Sequence, residues 1–553
     1  MFTFGTAFLK RYRNNKNCIM KHVSLLLLAT ALSFGAAQAQ NEMDAYRYSK
    51  NDLVGTARSV SMGGAFGALG GDITGISINP AGIGIYQSSE IVTTLNFQNS
   101  EVKTHMVGPQ VNAGQFKESK FKFSFDNLAF VNVFPLYNND VVKSINVGFS
   151  YNRLKNFNRK YRMVGKNLSY DMAEYMAQRA NYNGVAGDKL DLFSGDNDFR
   201  RVWDYEDWMS VLGYNAGIID QDEEGYYPTS PNPASSNDLF VEEKGSMSTY
   251  DFNIGTTFSD IISIGATVSL TDINYRLYSS YIEDYQDNGS FWGMQELQNW
   301  MRTDGTGWQV TAGVIVKPIQ ELRIGVSYHS PTWYNMTDHF AADMYYEYGN
   351  GRSGTIPSYG EPTEISDRNG EDAIIDYKLR TPDKWTFSLA GVIGNKAIIS
   401  ADYELTNYRN NMKLFNDNGN ALDYGMADPN YYISQDFRNA STLRVGLEYR
   451  ITDQFSARVG YAWMQSPFKT EVKDHPGDHE VTTDKRSMTQ YVLDGDTNYF
   501  TYGLGYRFTR NFYTDIAFVM KNSKDDLYAF TAADKAEFKT NNFQGVMTLG
   551  YKF

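Results

Sequence analysis

Apolar and polar residues alternate with a period of two through most of the chain from residue 88 onward. Phe121, Phe123 and Phe125, for example, alternate with Lys122 and Ser124. Successive side chains of a β-strand point to opposite faces, so each such run predicts a strand with one apolar face. Fourteen runs of this kind lie near 88–99, 121–125, 145–151, 250–258, 262–278, 308–316, 322–328, 385–392, 398–408, 443–449, 455–463, 499–508, 512–519 and 543–553.

The connections between these runs alternate between short and long. The short ones lie near 135–140, 259–260, 317–321, 394–396, 452–453 and 509–510. The long ones lie near 100–118, 159–245, 279–306, 331–372, 411–438, 466–494 and 522–541, the largest being 159–245. Outer-membrane barrels place short turns at the periplasmic rim and long loops outside the cell. Residues 88–553 are therefore predicted to form a fourteen-stranded antiparallel outer-membrane β-barrel with both ends at the periplasmic rim.

Composition narrows the class further. Past residue 40 there is no apolar run long enough for a spanning helix, and 15% of residues are aromatic. In hydrocarbon all backbone groups must be paired, which leaves a closed barrel. The formal charge of −13 becomes −18 without residues 1–39, which hold five basic and no acidic residues. A nucleic-acid partner would require the opposite sign, so none is expected.

Residues 1–39 have the pattern of an export signal. Met20-Lys21-His22 precedes the apolar stretch VSLLLLATALSFGA, and Ala37-Gln38-Ala39 follows as an A-x-A cleavage site. Cleavage is expected after Ala39, and Met20 is an alternative start of translation. The one cysteine, Cys18, lies in the removed part. The mature chain is therefore expected to have neither disulfides nor thiol chemistry.

Residues 40–87 do not alternate and are predicted to form a separate plug. Nine glycines lie between Gly55 and Gly84. So many glycines cannot sustain a long helix or strand, but they let the backbone pack closely against surrounding walls. Their spacing matches neither a Walker A loop nor a dinucleotide-binding fingerprint.

Two phrases in this segment are similar to a known family. RSVSMGGAF at Arg58–Phe66 and SINPAG at Ser77–Gly82 resemble the N-terminal hatch of the FadL/TodX family, and we expect a member of the Bacteroidetes type. The family consists of outer-membrane channels for long-chain fatty acids and other hydrophobic compounds. The resemblance implies a fourteen-stranded barrel plugged by an N-terminal hatch and passive uptake of a hydrophobic ligand. It implies no enzyme activity and no cofactor, a monomer embedded in outer-membrane lipid, and folding by the barrel assembly machinery.

Candidate site residues follow from this resemblance and from the pattern. The hatch motif is Asn79, Pro80, Ala81 and Gly82, which is interpreted as a hinge or latch, or equally as a structural turn. Arg58 could pair with a lumen carboxylate or hold the acid group of a ligand, and Phe66 could contact that ligand. In the long loops, helical spacing suggests apolar faces that either bind ligand or cap the barrel; they include Met172, Met176, Trp208, Leu212, Leu297 and Trp300.

The C-terminal strand ends in Tyr551-Lys552-Phe553. An alternating last strand with a terminal Phe resembles the assembly signal of bacterial outer-membrane barrels, which assigns that role to Tyr551 and Phe553. The rest of the sequence gives little support to a catalytic or metal site. Residues 474–480 combine two His with three carboxylates, but they flank Pro-Gly in a predicted outer loop, so a solvated turn is expected and no metal site.

Two functions of different class remain open at this point. The first is passive uptake of hydrophobic small molecules such as long-chain fatty acids, gated by the hatch. The second is that of the PorV-like barrels, which dock and shuttle secreted proteins in a Bacteroidetes secretion system. An apolar lumen pocket walled by Phe, Leu, Met and the hatch is expected for the transporter. Outer loops ready to receive a partner chain are expected for the docking barrel.

Overall fold

The computed structural model describes residues 41–107, 114–137, 141–194, 202–204, 206–358, 373–394, 396–422, 428–474 and 487–553. The predicted signal peptide, 1–39, lies outside the described residues. The strands are β1 Glu90–Met106, β2 Phe116–Pro135, β3 Val142–Asn156, β4 Arg159–Lys166, β5 Ile219–Gln221, β6 Tyr226–Pro228, β7 Ser236–Phe258, β8 Ile262–Asp287, β9 Ser290–Ile319, β10 Leu322–His329, β11 Trp333–Tyr348, β12 Ser353–Pro357, β13 Ala373–Arg380, β14 Lys384–Ile393, β15 Ala397–Thr406, β16 Lys413–Asn416, β17 Ala440–Arg450, β18 Phe455–Met464, β19 Tyr491–Leu493, β20 Thr497–Arg507, β21 Phe512–Tyr528 and β22 Ala536–Lys552.

Fourteen of these strands close into an antiparallel barrel, which confirms the predicted fold. The ring runs β1, β2, β3, β7, β8, β9, β10, β14, β15, β17, β18, β20, β21 and β22. It closes where β22 pairs with β1, from Glu90 opposite Lys552 to Met106 opposite Ala536. Each of the fourteen sequence runs falls on one of these strands. Both ends of the barrel therefore lie at the same rim, as the alternation of loop lengths predicts.

The outer face of the barrel is apolar because every second residue points away from the lumen. Phe121 and Phe123 of β2 are 66% and 50% exposed, and Leu389 of β14 is 52% exposed. Such a band of apolar side chains is what a lipid bilayer covers. Within the described residues, no helix is both long enough and apolar enough to cross a membrane.

Several strands continue well beyond the apolar band, where the sequence indicates loops. The clearest case is region 279–306, where the prediction of a long loop is wrong. β8 and β9 run through it as a paired hairpin that ends in a two-residue turn. Asn288 and Gly289 form this turn with φ of 48° and 78°, the left-handed values that a type I′ turn needs.

Short helices and strand extensions cover the extracellular end. The helices there are α4 Met172–Asn183, α5 Gly187–Leu190, α6 Trp208–Ala216, α7 Tyr408–Asn411, α8 Pro429–Asp436 and α9 Thr470–Asp474. α4 and α6 bury their apolar faces in one large cluster with the inner faces of the extended strands. We call this assembly the extracellular cap.

The N-terminal segment lies inside the barrel. It contains three short helices, α1 Glu42–Ser49, α2 Ala57–Ser61 and α3 Ile73–Ile78, and a 3-10 helix at Pro80–Ile85. Each begins at a polar residue whose side chain accepts a hydrogen bond from the first turn. The glycines between them keep every helix short, as the sequence indicates. We refer to residues 41–89 as the hatch.

Candidate functional site: the hatch and the lumen

The hatch fits the barrel because glycines of the wall face it at one level. A Cβ added to Gly265 of β8 would lie 2.2 Å from the Pro80 carbonyl oxygen, and one added to Gly313 of β9 would lie 1.9 Å from Asn79 Oδ1. Equivalent contacts with the hatch backbone occur at Gly325, Gly446 and Gly460, and with the side chain of Ser61 at Gly503. The sequence analysis did not identify these wall glycines, although alternation of Gly within the strands was visible. We call these six residues the glycine belt.

Asn79 joins the hatch to the wall. Its amide Nδ2 donates to the carbonyl oxygens of Gly67 in the hatch at 2.7 Å and Val314 in β9 at 3.3 Å. Its Oδ1 accepts from the backbone N–H of Ala81 at 3.1 Å, which caps the 3-10 helix. Pro80 occupies the first position of that helix, where its missing N–H costs nothing. The predicted Asn79–Gly82 motif is thus a buried turn fixed on both sides, and its role as a hinge stays a prediction.

Arg58 of α2 pairs with a carboxylate of the barrel wall. Its Nε and Nη2 donate to the two oxygens of Glu448 on β17 at 2.9 and 3.1 Å. Arg458 on β18 donates to the same carboxylate at 2.6 Å and also to Asp515 on β21 at 2.6 Å. Bidentate pairs of this geometry are strong and directional. Of the two readings of Arg58, the structure favours the structural pair.

The other predicted contact residue of the hatch is buried. Phe66 is 1% exposed and packs with Met62, Leu69 and Ala390. The Arg58 guanidinium lies 5.5 Å from its ring centroid. Phe66 therefore anchors α2 against β14, and contact with a ligand stays a prediction.

The predicted helical residues of loop 159–245 are brought together in the extracellular cap. Met172 and Met176 on α4 and Trp208 and Leu212 on α6 are all at most 1% exposed. They share one apolar cluster with Tyr46 and other residues of α1. The interpretation that these helices pack on one another to cover the barrel therefore has direct support, whereas a ligand contact stays a prediction.

Leu297 and Trp300 do not lie on a helix, and this prediction is wrong. Both belong to β9, where residues three apart point to opposite faces. Leu297 faces inward and is 2% exposed, while Trp300 is half-buried on the outer face beside Tyr278. Two apolar residues so close in sequence fit a helix or a strand equally well. Pairing with β8 and β11 makes this segment a strand.

A cavity of about 190 Å³ lies between the hatch and the wall. It is not the predicted apolar pocket, because threonines and charged groups dominate its lining. Glu404 and Arg444 form a 3.0 Å ion pair there, and Lys384 and His329 lie beside it. The cause is the alternation itself: the faces that are not exposed to lipid carry the small and polar residues of each strand.

Backbone pairing is interrupted in the barrel wall between β2 and β3. The β2–β3 ladder ends at Asn127 opposite Asn152, so that, within the described residues, 116–126 of β2 pair with β1 alone. The chain beyond Arg153 leaves β2 and continues along β7 as β4. Side chains span the separation instead: Lys120 pairs with Glu242 at 2.9 Å, and Lys160 with Glu118 at 3.3 Å. We call this interruption the wall gap.

A second cavity, of about 130 Å³, adjoins the chain segment that forms the wall gap. Its lining mixes apolar residues of the hatch and wall with charged ones. The apolar members include Met43, Phe157, Tyr161 and Leu277, and the charged ones include Lys155, Arg159, Glu243, Asp494 and Lys521. The segment that leaves β2 beyond Arg153 thus lines a lumen cavity that includes apolar side chains.

The C-terminal residues lie at the rim where the barrel closes. Tyr551 and Phe553 are 48% and 58% exposed on the outer face, and the Phe553 ring stacks on Phe130 with centroids 6.2 Å apart. The Phe553 N–H donates to the Ser89 carbonyl at 3.0 Å. Their role as an assembly signal stays a prediction. Most of the 474–480 cluster lies outside the described residues; among those described, no group of three His, Cys, Asp or Glu could hold a metal.

A closed fourteen-stranded antiparallel barrel with its N-terminus packed in the lumen defines the class of an outer-membrane transport barrel. Residues 246–550 match the family model of the outer membrane protein transport proteins, OMPP1/FadL/TodX. Since this match covers more than half of the chain, the protein belongs to that family and is located in the outer membrane.

Solved structures with similarity to this chain were found, and the first agrees with this fold. A FadL homologue of Pseudomonas aeruginosa is 15% identical, with a TM-score of 0.51, and the match covers 91% of this chain and 99% of that chain. The toluene transporter TodX of P. putida is 12% identical with a TM-score of 0.46 over the same shares. No curated protein sequence matches this chain.

Proposed function

We propose that this protein admits hydrophobic small molecules, such as long-chain fatty acids, through the outer membrane and releases them sideways through the wall gap. The wall gap is the observation that carries the proposal. A closed ladder would seal the lumen from the bilayer, because separating paired strands exposes backbone groups to hydrocarbon. Along 116–126 of β2 no such ladder to β3 or β4 has to be broken.

The position of the wall gap supports an exit into lipid. Phe121 and Phe123 lie on the half of β2 that pairs with β1 but has no ladder to β3 or β4. Both are exposed on the outer face, so this half belongs to the apolar band. The second cavity offers Phe157 and Tyr161, which lie on the chain segment that leaves β2, as apolar contacts. An apolar molecule could pass from lumen to bilayer there without crossing the aqueous periplasm.

A cross-link across the wall gap tests this proposal. The only cysteine of the sequence, Cys18, lies in the predicted signal peptide, so introduced thiols have no competitor in the mature chain. In Glu118→Cys/Lys160→Cys, a short thiol-to-thiol linker should join β2 to β4. Uptake of labelled oleate by cells lacking their own fatty-acid channel should fall to the rate of cells without this protein. Reduction of a cleavable linker should restore it.

The matched control joins strands that are already paired. Lys103 of β1 lies directly opposite Lys117 of β2, so Lys103→Cys/Lys117→Cys cross-links the neighbouring seam at the same height. Uptake should be unaffected in this variant. Equal uptake with the wall gap linked and unlinked would rule out sideways release. Labelled toluene in the same assay distinguishes an aromatic ligand from a fatty acid.

We infer that the hatch gates this path. It is held by the glycine belt, by Asn79 and by the Arg58–Glu448 pair, and the two lumen cavities described beside it are small, about 190 and 130 Å³. Deletion of 55–84 should raise the conductance of single barrels in planar bilayers. An unchanged conductance would contradict the gating role while leaving sideways release untouched.

One observation favours the second candidate, a docking barrel for secreted proteins. The larger lumen cavity is lined mainly by polar groups, and several strands extend far above the apolar band. A transporter was expected to show an apolar pocket there. Native mass spectrometry of the detergent-purified protein separates the two functions: a co-purified fatty acid supports transport, and a stoichiometric secreted protein supports docking.

A further inference from the structure

One row of side chains crosses four neighbouring strands on the outer surface of the barrel. Leu270 of β8 lies opposite Trp308 of β9, Trp308 opposite Trp333 of β11, and Trp333 opposite Arg380 of β13. The first three are 49%, 48% and 37% exposed, so this row faces outward. The two indole rings stack with their centroids 4.4 Å apart.

This row marks the upper edge of the apolar band. On the same strands and the same outer face, the residues below it are Val268 and Val310, whereas Asp272 and Thr306 lie above it. Trp side chains concentrate at such membrane–water boundaries because one end is apolar and the N–H can be hydrated. The row therefore lies at the level where acyl chains meet headgroups in the outer leaflet.

A groove of about 680 Å³ opens on this surface. Its lower wall is apolar and aromatic, formed by Leu270, Trp308 and Trp333, with Phe415 of β16 on the far side. Two cations, Lys378 and Arg380, line its upper side; both belong to β13, which pairs with β11 above the band.

These two cations have N–H groups that can still donate hydrogen bonds. Lys378 Nζ donates to the Asp417 carbonyl at 2.5 Å, and Arg380 Nε donates to the Asn411 carbonyl at 2.9 Å. Within the described part of the chain, neither forms an ion pair with a carboxylate. Two other cations of the extracellular wall do: Arg302 pairs with Asp304 at 2.6 Å, and Lys244 with Glu242 at 2.8 Å.

The nearby carboxylates leave the side of the groove formed by Lys378 and Arg380 positively charged. Asp272 on β8 is separated from β13 by β9 and β11 and lies at the other side of the groove, and Asp376 on β13 accepts a hydrogen bond from Thr337 at 2.6 Å. The chain has 64 acidic and 51 basic residues, and Lys378 and Arg380 place two positive charges next to exposed tryptophans with no paired carboxylate among the described residues. Charge complementarity with an anion is the simplest reason for their position.

We propose that this groove binds a phosphate-bearing lipid of the outer leaflet. One acyl chain lies along Leu270 and Trp308, and the headgroup phosphate accepts hydrogen bonds from Lys378 and from the free Nη groups of Arg380. Arginine matches phosphate oxygens with two parallel donors, and lysine adds a point charge. A lipid fits better than a soluble anion because the cations adjoin apolar surface that the membrane covers.

Native mass spectrometry of the full-length mature protein tests the proposal. The protein is released from detergent after incubation with phosphatidylglycerol or with phosphatidylcholine of the same acyl chains. We expect bound phosphatidylglycerol to survive at collision energies that strip phosphatidylcholine. Lys378→Gln/Arg380→Gln should lose this difference, and Trp308→Ala should weaken the binding of both lipids.

The matched control is Lys244→Gln/Arg302→Gln, which removes the same charge from paired cations of the same wall. It should retain phosphatidylglycerol as the wild type does. Equal retention of the two lipids by the wild type, or unchanged retention by Lys378→Gln/Arg380→Gln, would overturn the proposal. Displacement by millimolar inorganic phosphate would overturn it in favour of a free-anion site. A dimer that the same double variant abolishes would assign the groove to a second copy of the chain.

Discussion

Arg58 of the hatch and Glu448 of β17 form a bidentate ion pair, with Nε–Oε2 and Nη2–Oε1 distances of 2.9 and 3.1 Å. The two residues are 390 positions apart in the sequence. The pair is largely removed from water, and its two parallel bonds are charge-assisted and directional. It ties α2 to β17, whereas Asn79 ties the hatch to β9.

Arg58→Gln should loosen the hatch without unfolding the barrel. Glu448 keeps Arg458 as a partner, so the wall retains its own ion pair. We expect more frequent openings of single barrels in planar bilayers and faster proteolysis of the hatch. Arg162→Gln, which removes an exposed pair with Asp238, is the control and should behave as wild type. Closed, protease-resistant barrels in Arg58→Gln would argue against a latch.

Asn79→Ala should destabilise the same hatch by about 1–3 kcal/mol, through loss of the cap of the 3-10 helix and of the bond to Val314. Hydrogen exchange of residues 79–86 should accelerate. Ser77→Ala is the control, because Ser77 bonds only to Thr74 within α3. If exchange in this region is equally slow in both variants, Asn79 does not hold the hatch.

Gly265→Val should prevent the hatch from docking, because the added Cβ would overlap the Pro80 carbonyl at 2.2 Å. The barrel ladder itself tolerates Val, which favours strands. We expect a folded barrel with raised conductance. Gly391→Val on β14 is the control, since its Cβ would meet nothing within 4 Å. Wild-type conductance in Gly265→Val would contradict the glycine belt.

The extracellular cap should be more stable at acid pH because of Glu283. This residue lies on the part of β8 beyond the apolar band and accepts hydrogen bonds from Tyr281 and Tyr285 at 2.7 Å and from the Met172 N–H at 3.0 Å. Burial, and then the charge of Asp171, raises the pKa of Glu283 to about 7 from 4.5. The folded cap thus binds more protons than the unfolded one between these pH values.

Stability of the cap must therefore fall as pH rises from about 4.5 to about 7. Protection factors of amides in α4 should be higher at pH 5.5 than at pH 8, and Glu283→Gln should flatten this dependence. Glu224→Gln, in an exposed turn, should leave it unchanged. A flat profile in the wild type would show that Glu283 does not titrate in this range.

Phe553→Ala should slow assembly of the barrel in cells, because the terminal ring resembles an assembly signal and also stacks on Phe130 at the closing seam. The expected result is a larger heat-sensitive unfolded fraction after pulse labelling. Phe512→Ala removes another exposed ring from the same rim and serves as the control. Equal assembly rates in the two variants would show that the terminal Phe carries no signal of its own.

Mistaken predictions came from segments in which the local pattern fits two structures. Leu297 and Trp300 fit a helical spacing, yet Asn288-Gly289 between two runs is the typical dipeptide of a two-residue hairpin. Once that turn forms, β8 and β9 pair through the whole region. The turn signal was present in the sequence, but pattern length alone did not reveal how far the strands extend above the membrane.

The sequence by itself determined the number of barrel strands, the placing of both barrel ends at one rim, and the position of the hatch. These properties depend on local alternation, loop length and glycine content, each of which is readable in a short window. Tertiary structure alone decided that Gly265 meets Pro80, that Arg58 meets Glu448, and that the wall opens beyond Asn127. Such contacts join residues far apart in the chain, and they depend on strand register and barrel closure, which no local pattern specifies.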